Sequence, residues 1–314
     1  MQYWRSVNNR NRNHKCRNFF QLLVSIVILE IAVSAQEMEP RAYSRAPVGT
    51  TYVFVIYAFQ TGDVLTDSST PIRDVSVKLN SMSLGFGRTF NLVGRQANFG
   101  ALLNYADGRA RGMVFEQAQE VTRSGMGDTR LRFSTNLIGG PALSPKEFAA
   151  HKPKTVVGVS LTAVVPTGQY DPNRLVNLGS NRWSFKPEVG LSKPVGRRWT
   201  FEVAGGIWLF TANNNFFGGS RREQRPLASL QAHVIYTLRP RMWIALDGTY
   251  FNGGRTALDG VKKDDSVSNS RLGGTFSYPF GKRHSLKVVI ANGLTTRFGG
   301  KLTTFAIGWQ YTWF

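Results

Sequence analysis

Residues 304–314 read TFAIGWQYTWF. Phe305, Ile307, Trp309, Tyr311 and Trp313 are bulky and apolar, whereas Thr304, Ala306, Gly308, Gln310 and Thr312 between them are small or polar. Successive side chains of a strand point to opposite faces, so this period of two gives a β-strand with one very apolar face. A soluble sheet also alternates, and the edge of a β-sandwich fits these residues as well as a membrane strand does. The rest of the chain separates the two.

The same alternation recurs upstream. Leu286, Val288 and Ile290 oppose Ser285 and Lys287; Leu272, Phe276, Tyr278 and Phe280 oppose Arg271, Gly273 and Thr275; Met242, Ile244, Leu246 and Tyr250 oppose Ala245, Asp247 and Thr249. Leu230, Val234 and Tyr236 oppose Ser229, Gln231 and His233, and Phe201, Val203, Ile207 and Leu209 oppose Thr200, Glu202 and Ala204. Phe185, Val189 and Leu191 oppose Ser184, Lys186 and Glu188, Val157, Val159 and Leu161 oppose Gly158 and Ser160, and Leu131 and Phe133 oppose Arg130 and Arg132. Strands near 97–105, 74–88 and 50–61 are less regular, and the phase slip after Leu79 predicts a β-bulge there.

The links decide the architecture. Pro194–Arg197, Arg239–Arg241 and Gly281–Arg283 are short; Asn213–Gln224, Gly253–Asn269 and Thr295–Lys301 are long and polar. Tight turns at one end and longer loops at the other are the habit of an outer-membrane barrel. Parity then requires 106–127 to be one long outer loop, although Met113–Val121 has the makings of a strand. The expectation is a transmembrane antiparallel up-and-down β-barrel of about 12 strands spanning 49–314, with both termini in the periplasm. An even number suits a bacterial barrel. Ser144-Pro145-Lys146-Glu147 is a capping box that predicts a helix of about two turns inside one link.

The first 35 residues read as an export signal. Arg5, Arg10, Arg12, Lys15 and Arg17 precede an apolar run from Phe19 to Leu29, and Val33-Ser34-Ala35 sets a cleavage point after Ala35. The run is shorter than the roughly 20 residues a spanning helix needs. Removing residues 1–35 takes away five basic groups and one acidic group, lowering the net charge from +20 to +16. Basic excess in an exported chain points to lipid phosphates, including lipopolysaccharide, and to anionic solutes, and away from nucleic acid. The only cysteine, Cys16, lies in the signal, which excludes a disulfide framework and cysteine-ligated zinc from the processed chain.

Trp199 and Trp313 fall near periplasmic ends and Trp183 near an outer end, positions suited to interfacial girdles. Trp243 is out of phase with its strand. The closing aromatic strand is similar to the signal outer-membrane proteins present to their insertion machinery, with Phe314 one position out of phase. Glu39–Ser44 before Pro47–Thr50, Ser124–Asp128, PTGQYDPNRLVNLGSNRW at 166–183, FFGGSRREQRPL at 216–227 and the terminal WQYTWF carry a resemblance to the phenol-degradation meta-pathway outer-membrane family. That resemblance covers almost all of the processed chain. It implies an outer-membrane barrel of transporter type and supplies no catalytic residues.

If the apolar faces meet lipid, Arg130, Arg132, Lys186, Glu188, Glu202, Asp247, Arg271 and Lys287 line the lumen. One reading is a mutually neutralising, water-filled network; the other is a pore whose charge sets selectivity. Five basic groups among eight lean toward anions such as aromatic carboxylates. Twelve strands fall between barrels filled by side chains and barrels with wide channels, so the bore should be narrow. Residues 36–48 form an N-terminal arm, expected as a periplasmic tail; a plug in the lumen is the alternative. A membrane hydrolase is a rival function, but Ser229 lies about 13 Å along the strand from His233, and no metal or cofactor spacing is present. A structural or adhesive barrel is the third possibility. Asp264 and Asp265 read as a solvated loop tip, and Arg221, Arg222 and Arg225 as contacts for outer-leaflet phosphates.

Overall fold

A computed structural model describes residues 38–66, 72–174 and 176–314. The export signal lies outside the described residues. The strands, in chain order, are β1 (Thr51–Leu65), β2 (Ile72–Leu92), β3 (Arg95–Val114), β4 (Gln117–Met126), β5 (Thr129–Ile138), β6 (Val156–Val165), β7 (Ser184–Val195), β8 (Trp199–Phe210), β9 (Asn213–Phe216), β10 (Ser220–Gln224), β11 (Leu227–Arg239), β12 (Met242–Gly253), β13 (Thr256–Leu258), β14 (Val261–Lys262), β15 (Val267–Phe280), β16 (His284–Thr296) and β17 (Gly299–Trp313). A short helix, α1 (Pro145–Ala150), begins on the capping box of Ser144 and Glu147.

Five of these strands, β4, β9, β10, β13 and β14, belong to the links. The other twelve close a cylinder of antiparallel neighbours. β17 pairs with β1 from Thr51↔Trp313 to Leu65↔Gly299, and β2 pairs with β3 to complete the ring. Closure pairs the backbone within the protein and leaves no strand edge, which is what hydrocarbon demands. Alternation sorts the side chains. Leu84, Leu161, Val203, Leu246, Ile290 and Phe305 stand exposed on the outside, while Ser83, Thr162, Glu202, Asp247 and Thr304 are buried inside. So broad an exposed apolar belt around a closed barrel is a lipid-facing surface. Trp183 and Trp199 are exposed on that belt, stacked on Phe185 and Phe201.

Three expectations about the wall change. Met113–Val121 is not irregular loop: β3 runs on to Val114, turns through Phe115-Glu116, both at positive φ, and returns as β4. Positive φ at both central residues is the geometry of a type I′ hairpin. β4 pairs with the outer half of β3, Tyr105–Val114, while the first half of β3 pairs with β5 at Ala97–Leu102. The hairpin therefore extends the wall outward without adding a thirteenth strand.

Nor does β2 bulge after Leu79. Its register with β1 is unbroken from Thr51↔Arg88 to Val64↔Val75, and the β2–β3 irregularity lies at Arg73/Ser76. What changes is the face that needs to be apolar. Met82, Leu84 and Phe86 are exposed on the outside, whereas Val75, Val77 and Leu79 point inward to an apolar cluster with Ala106, Ala110, Phe216 and Phe298. Finally, the Thr295–Lys301 link is a tight turn with only Arg297 and Phe298 between β16 and β17.

The outer links carry their own four-stranded sheet, ordered β14-β13-β10-β9. Asp265 is no solvated tip: it is buried and accepts hydrogen bonds from the backbone and hydroxyl of Thr256. Arg222 is likewise buried, 5.6 Å from the ring centroid of Phe216, and so is turned away from lipid phosphates. Arg221 remains exposed and pairs with Glu223.

Candidate functional site: a lumen in layers

The periplasmic half of the lumen holds residues 38–48 of the N-terminal arm. The expected periplasmic tail is corrected here, because the arm's polar groups pair with lumen side chains. Glu39 accepts a hydrogen bond from Arg132 Nη1 at 2.6 Å, and the Arg41 backbone N–H donates to Glu202 Oε2 at 2.6 Å. Arg41 Nη2 donates to Thr237 Oγ1, and its guanidinium lies 5.2 Å from the Trp243 ring centroid. The Tyr43 hydroxyl donates to Glu188 Oε1 at 2.8 Å and lies 3.0 Å from Ser160 Oγ. Burial, and next the Glu188 charge, push that hydroxyl well above the usual phenol range, so it stays a donor.

Sequence prepares the berth. Gly158 and Gly190 are register partners on β6 and β7, and a Cβ at either would meet the Tyr43 ring at 2.5 or 2.1 Å. Further along, the backbone N–H groups of Ala46 and Val48 donate to Gln96 Oε1 and to the Leu143 carbonyl. Ordering the arm carries an entropy cost of about 1–2 kcal/mol per residue. Charge-assisted hydrogen bonds inside a low-dielectric lumen, about twice as strong as neutral ones, offset it.

Above the arm lies a buried ionic belt. Lys186 Nζ meets Glu188 Oε2 at 2.9 Å, Arg132 Nη2 lies 3.4 Å from Glu188 Oε1, and Gln231 donates to Glu188 Oε2. Glu202 Oε1 accepts from Ser192. Next to Glu202 across the β8–β11 ladder, His233 Nδ1 stands 2.7 Å from Asp247 Oδ1, and Thr275 donates to Asp247 Oδ2 at 2.6 Å. His233 and Asp247 are direct cross-strand partners, so the pair is set by the β11–β12 register. Ser229 does not complete a nucleophilic triad with them; it packs toward the Gly206 carbonyl. Among the described residues no group of three His, Cys, Asp or Glu is placed to hold a metal.

The outer half holds a cavity lined by residues that include Arg130, Arg182, Arg271, Trp208, Phe210 and Phe251. Arg130 and Lys186 approach the Trp208 ring at 5.9 and 5.4 Å, and Arg182 lies 4.5 Å from the Phe210 centroid. Arg271 Nη2 donates to Thr304 Oγ1 at 2.7 Å. Phe298, which also lines this cavity, belongs with Phe216 and Phe217 to the apolar cluster of the outer links.

Of the eight residues picked out in the sequence, Arg132, Lys186, Glu188, Glu202 and Asp247 meet in or beside the ionic belt. Arg130 and Arg271 border the outer cavity. Lys287 lies on the arm's side, with Nζ 5.8 Å from the Trp243 ring that Arg41 also overlies. Sequence reasoning missed Tyr43, Arg182, Trp208 and the His233–Asp247 pair. Two signals were there. Trp208 shares the parity of Glu202, and Trp243 is out of phase because it faces inward under Arg41.

No curated protein sequence matches this chain. Among solved structures, it is similar to an outer membrane channel from Pseudomonas putida F1, at 22% identity and TM-score 0.73, covering 88% of this chain and 100% of that one. It is also similar to the transport unit of the autotransporter AIDA-I from Escherichia coli, at 9% identity and TM-score 0.52, over 90% and 95% of the two chains. The beta domain of the Bordetella autotransporter BrkA aligns at 13% identity and TM-score 0.50, over 85% and 100%. These likenesses are of fold. Residues 55–308 match the family described as "Putative MetA-pathway of phenol degradation", and with most of the chain covered, the protein belongs to that family.

Proposed function

We propose that this barrel is a narrow outer-membrane channel for small solutes, including hydrophobic or aromatic ones, whose bore is restricted by its own N-terminal arm. The observation that carries the reading is the combination of an apolar outer belt with a lumen lined by buried acidic and basic side chains. A barrel serving only as an anchor or adhesin has no need of buried charge, which is costly to desolvate. In this reading Arg130, Arg132, Lys186, Glu188, Glu202, Asp247, Arg271 and Lys287 form the pore lining, and their basic surplus favours anions. Lipid surrounds the belt, lipopolysaccharide meets the outer rim, and β17 is the segment read by the insertion machinery. The chain is not an enzyme in this reading.

Conductance of the purified processed chain across a planar bilayer tests the proposal. Discrete steps that enlarge when residues 36–48 are deleted support it. A silent bilayer with both chains, although both are inserted, favours the structural barrel instead.

A further inference from the structure

We infer that the short-turn end of the barrel is a binding rim for the headgroups of anionic glycerophospholipids, an assignment that goes beyond the channel reading and does not rest on it. The β7–β8, β11–β12 and β15–β16 turns follow one another around the wall, because β8 pairs with β11 and β12 with β15. They carry Arg197 and Arg198, Arg239 and Arg241, and Lys282 and Arg283, all exposed. No aspartate or glutamate occurs in 193–201, 237–246 or 278–287. Exposed cations at the opposite end are paired instead: Arg73 with Glu116, Arg221 with Glu223 and Arg297 with Asp264. Among the described residues, none of the six cations on the turns has a carboxylate partner.

One contact repeats on all three turns. Arg198 Nη1 donates to the Tyr236 hydroxyl at 2.8 Å, with its guanidinium 5.9 Å from the ring centroid. Arg239 lies 5.6 Å from the Tyr278 centroid, and Arg283 Nη1 donates to the Tyr311 hydroxyl at 3.1 Å. Each time the arginine comes from a turn and the tyrosine from the strand just beyond that hairpin, β11, β15 and β17 in order. Parity puts these tyrosines on the outward side with Val234, Leu272 and Trp309, which are exposed. Aromatic residues near the end of a barrel strand sit at headgroup depth, so the guanidinium groups leaning on them are held at that depth outside the wall. Arg241 donates to the carbonyls of Gly281, Lys282 and His284 and so ties the second turn to the third. A guanidinium has five N–H donors, and Arg198 and Arg283 each commit one to a tyrosine. The planar fork that remains matches two oxygens of a phosphate. A headgroup of net negative charge neutralises such a rim, whereas a choline headgroup brings a cation of its own. An acidic protein would meet the tips of the turns and leave the outward arginine–tyrosine contacts uncovered.

Native mass spectrometry tests the rim. The full processed chain is released from detergent that holds equal amounts of phosphatidylglycerol and phosphatidylcholine with the same acyl chains. The unaltered chain should retain phosphatidylglycerol about fivefold or more over phosphatidylcholine. Arg198→Gln, Arg239→Gln and Arg283→Gln together should abolish the preference. The matching triple change at the opposite end, Arg73→Gln, Arg221→Gln and Arg297→Gln, should leave it intact. Inorganic phosphate should strip no more lipid than chloride of the same ionic strength; selective stripping would make the rim a site for free phosphate and overturn the lipid assignment. Equal retention of the two lipids by the unaltered chain overturns it without recourse to any variant, and turns the rim toward an acidic protein partner. A preference that survives loss of the three turn arginines, or that falls equally with the opposite-end triple, overturns it as well. Lipid retention is read without conduction, so the rim and the channel stand or fall separately.

Discussion

The ring of Tyr43 occupies the space over Gly190 that any other residue's side chain would claim, since a Cβ built there would lie 2.1 Å from it. Gly190→Ala should therefore evict the ring from its slot and break its bonds to Glu188 and Ser160. The arm would lose its deepest anchor while the strands of the wall keep their register. Single-channel recordings should show conductance several-fold above the unaltered chain, and Tyr43→Ala should do the same. Identical conductance in all three would mean that the arm does not restrict the path.

Glu188 is the hub of the ionic belt, with Lys186, Arg132, Gln231 and Tyr43 all turned to it. Removing one member of a buried ion pair leaves its partner charged and unpaired, which costs about 3–5 kcal/mol. Glu188→Gln keeps the shape and removes the charge. It should lower the stability measured by denaturant titration in detergent by roughly that amount, and shift permeability toward anions. A loss under about 1 kcal/mol would show that Lys186 and Arg132 find water or other partners.

Most of the wall was legible because lipid imposes one rule along each strand, apolar out and polar in, and β6, β7, β8, β11, β12, β15 and β17 obey it. The rule fails where the chain leaves the membrane. Above Leu79 on β2 the inward face is the dry one, so an unbroken strand reads as a slip. β4 pairs only with the overhang of β3, and nothing in Met113–Val121 itself says that it is not part of the wall. The interior was harder still. Individual lumen charges could be picked from parity, but who pairs with whom depends on register, as His233 with Asp247, and on an arm that is not a wall strand and so has no lipid-facing side to fix its place.

Charge reversal separates a conducting lumen from a sealed one. Arg271 borders the outer cavity and Lys287 lies beside Trp243, so the two sample different depths. Arg271→Glu and Lys287→Glu each replace a positive charge by a negative one. Under a salt gradient each should move the reversal potential toward cation preference, more strongly in the double variant. An unchanged potential at one position would remove that residue from the ion path while leaving the other in it.

The lipid-facing assignment can be tested by energetics alone. Leu246 points outward, 56% exposed, on β12 beside the buried Asp247. Were that face in water, Leu246→Arg would change stability by no more than about 0.5 kcal/mol, as surface substitutions usually do. In hydrocarbon near the bilayer midplane the same change costs about 2–4 kcal/mol, because the cation must drag water with it or snorkel to the interface. Leu246→Phe keeps the surface apolar and serves as the control. Reversible folding into lipid vesicles, followed by denaturant titration, should show the large penalty for arginine and almost none for phenylalanine. Equal stability of the two variants would mean that the apolar belt is covered by something other than lipid, and the closed cylinder would have to be explained without a membrane.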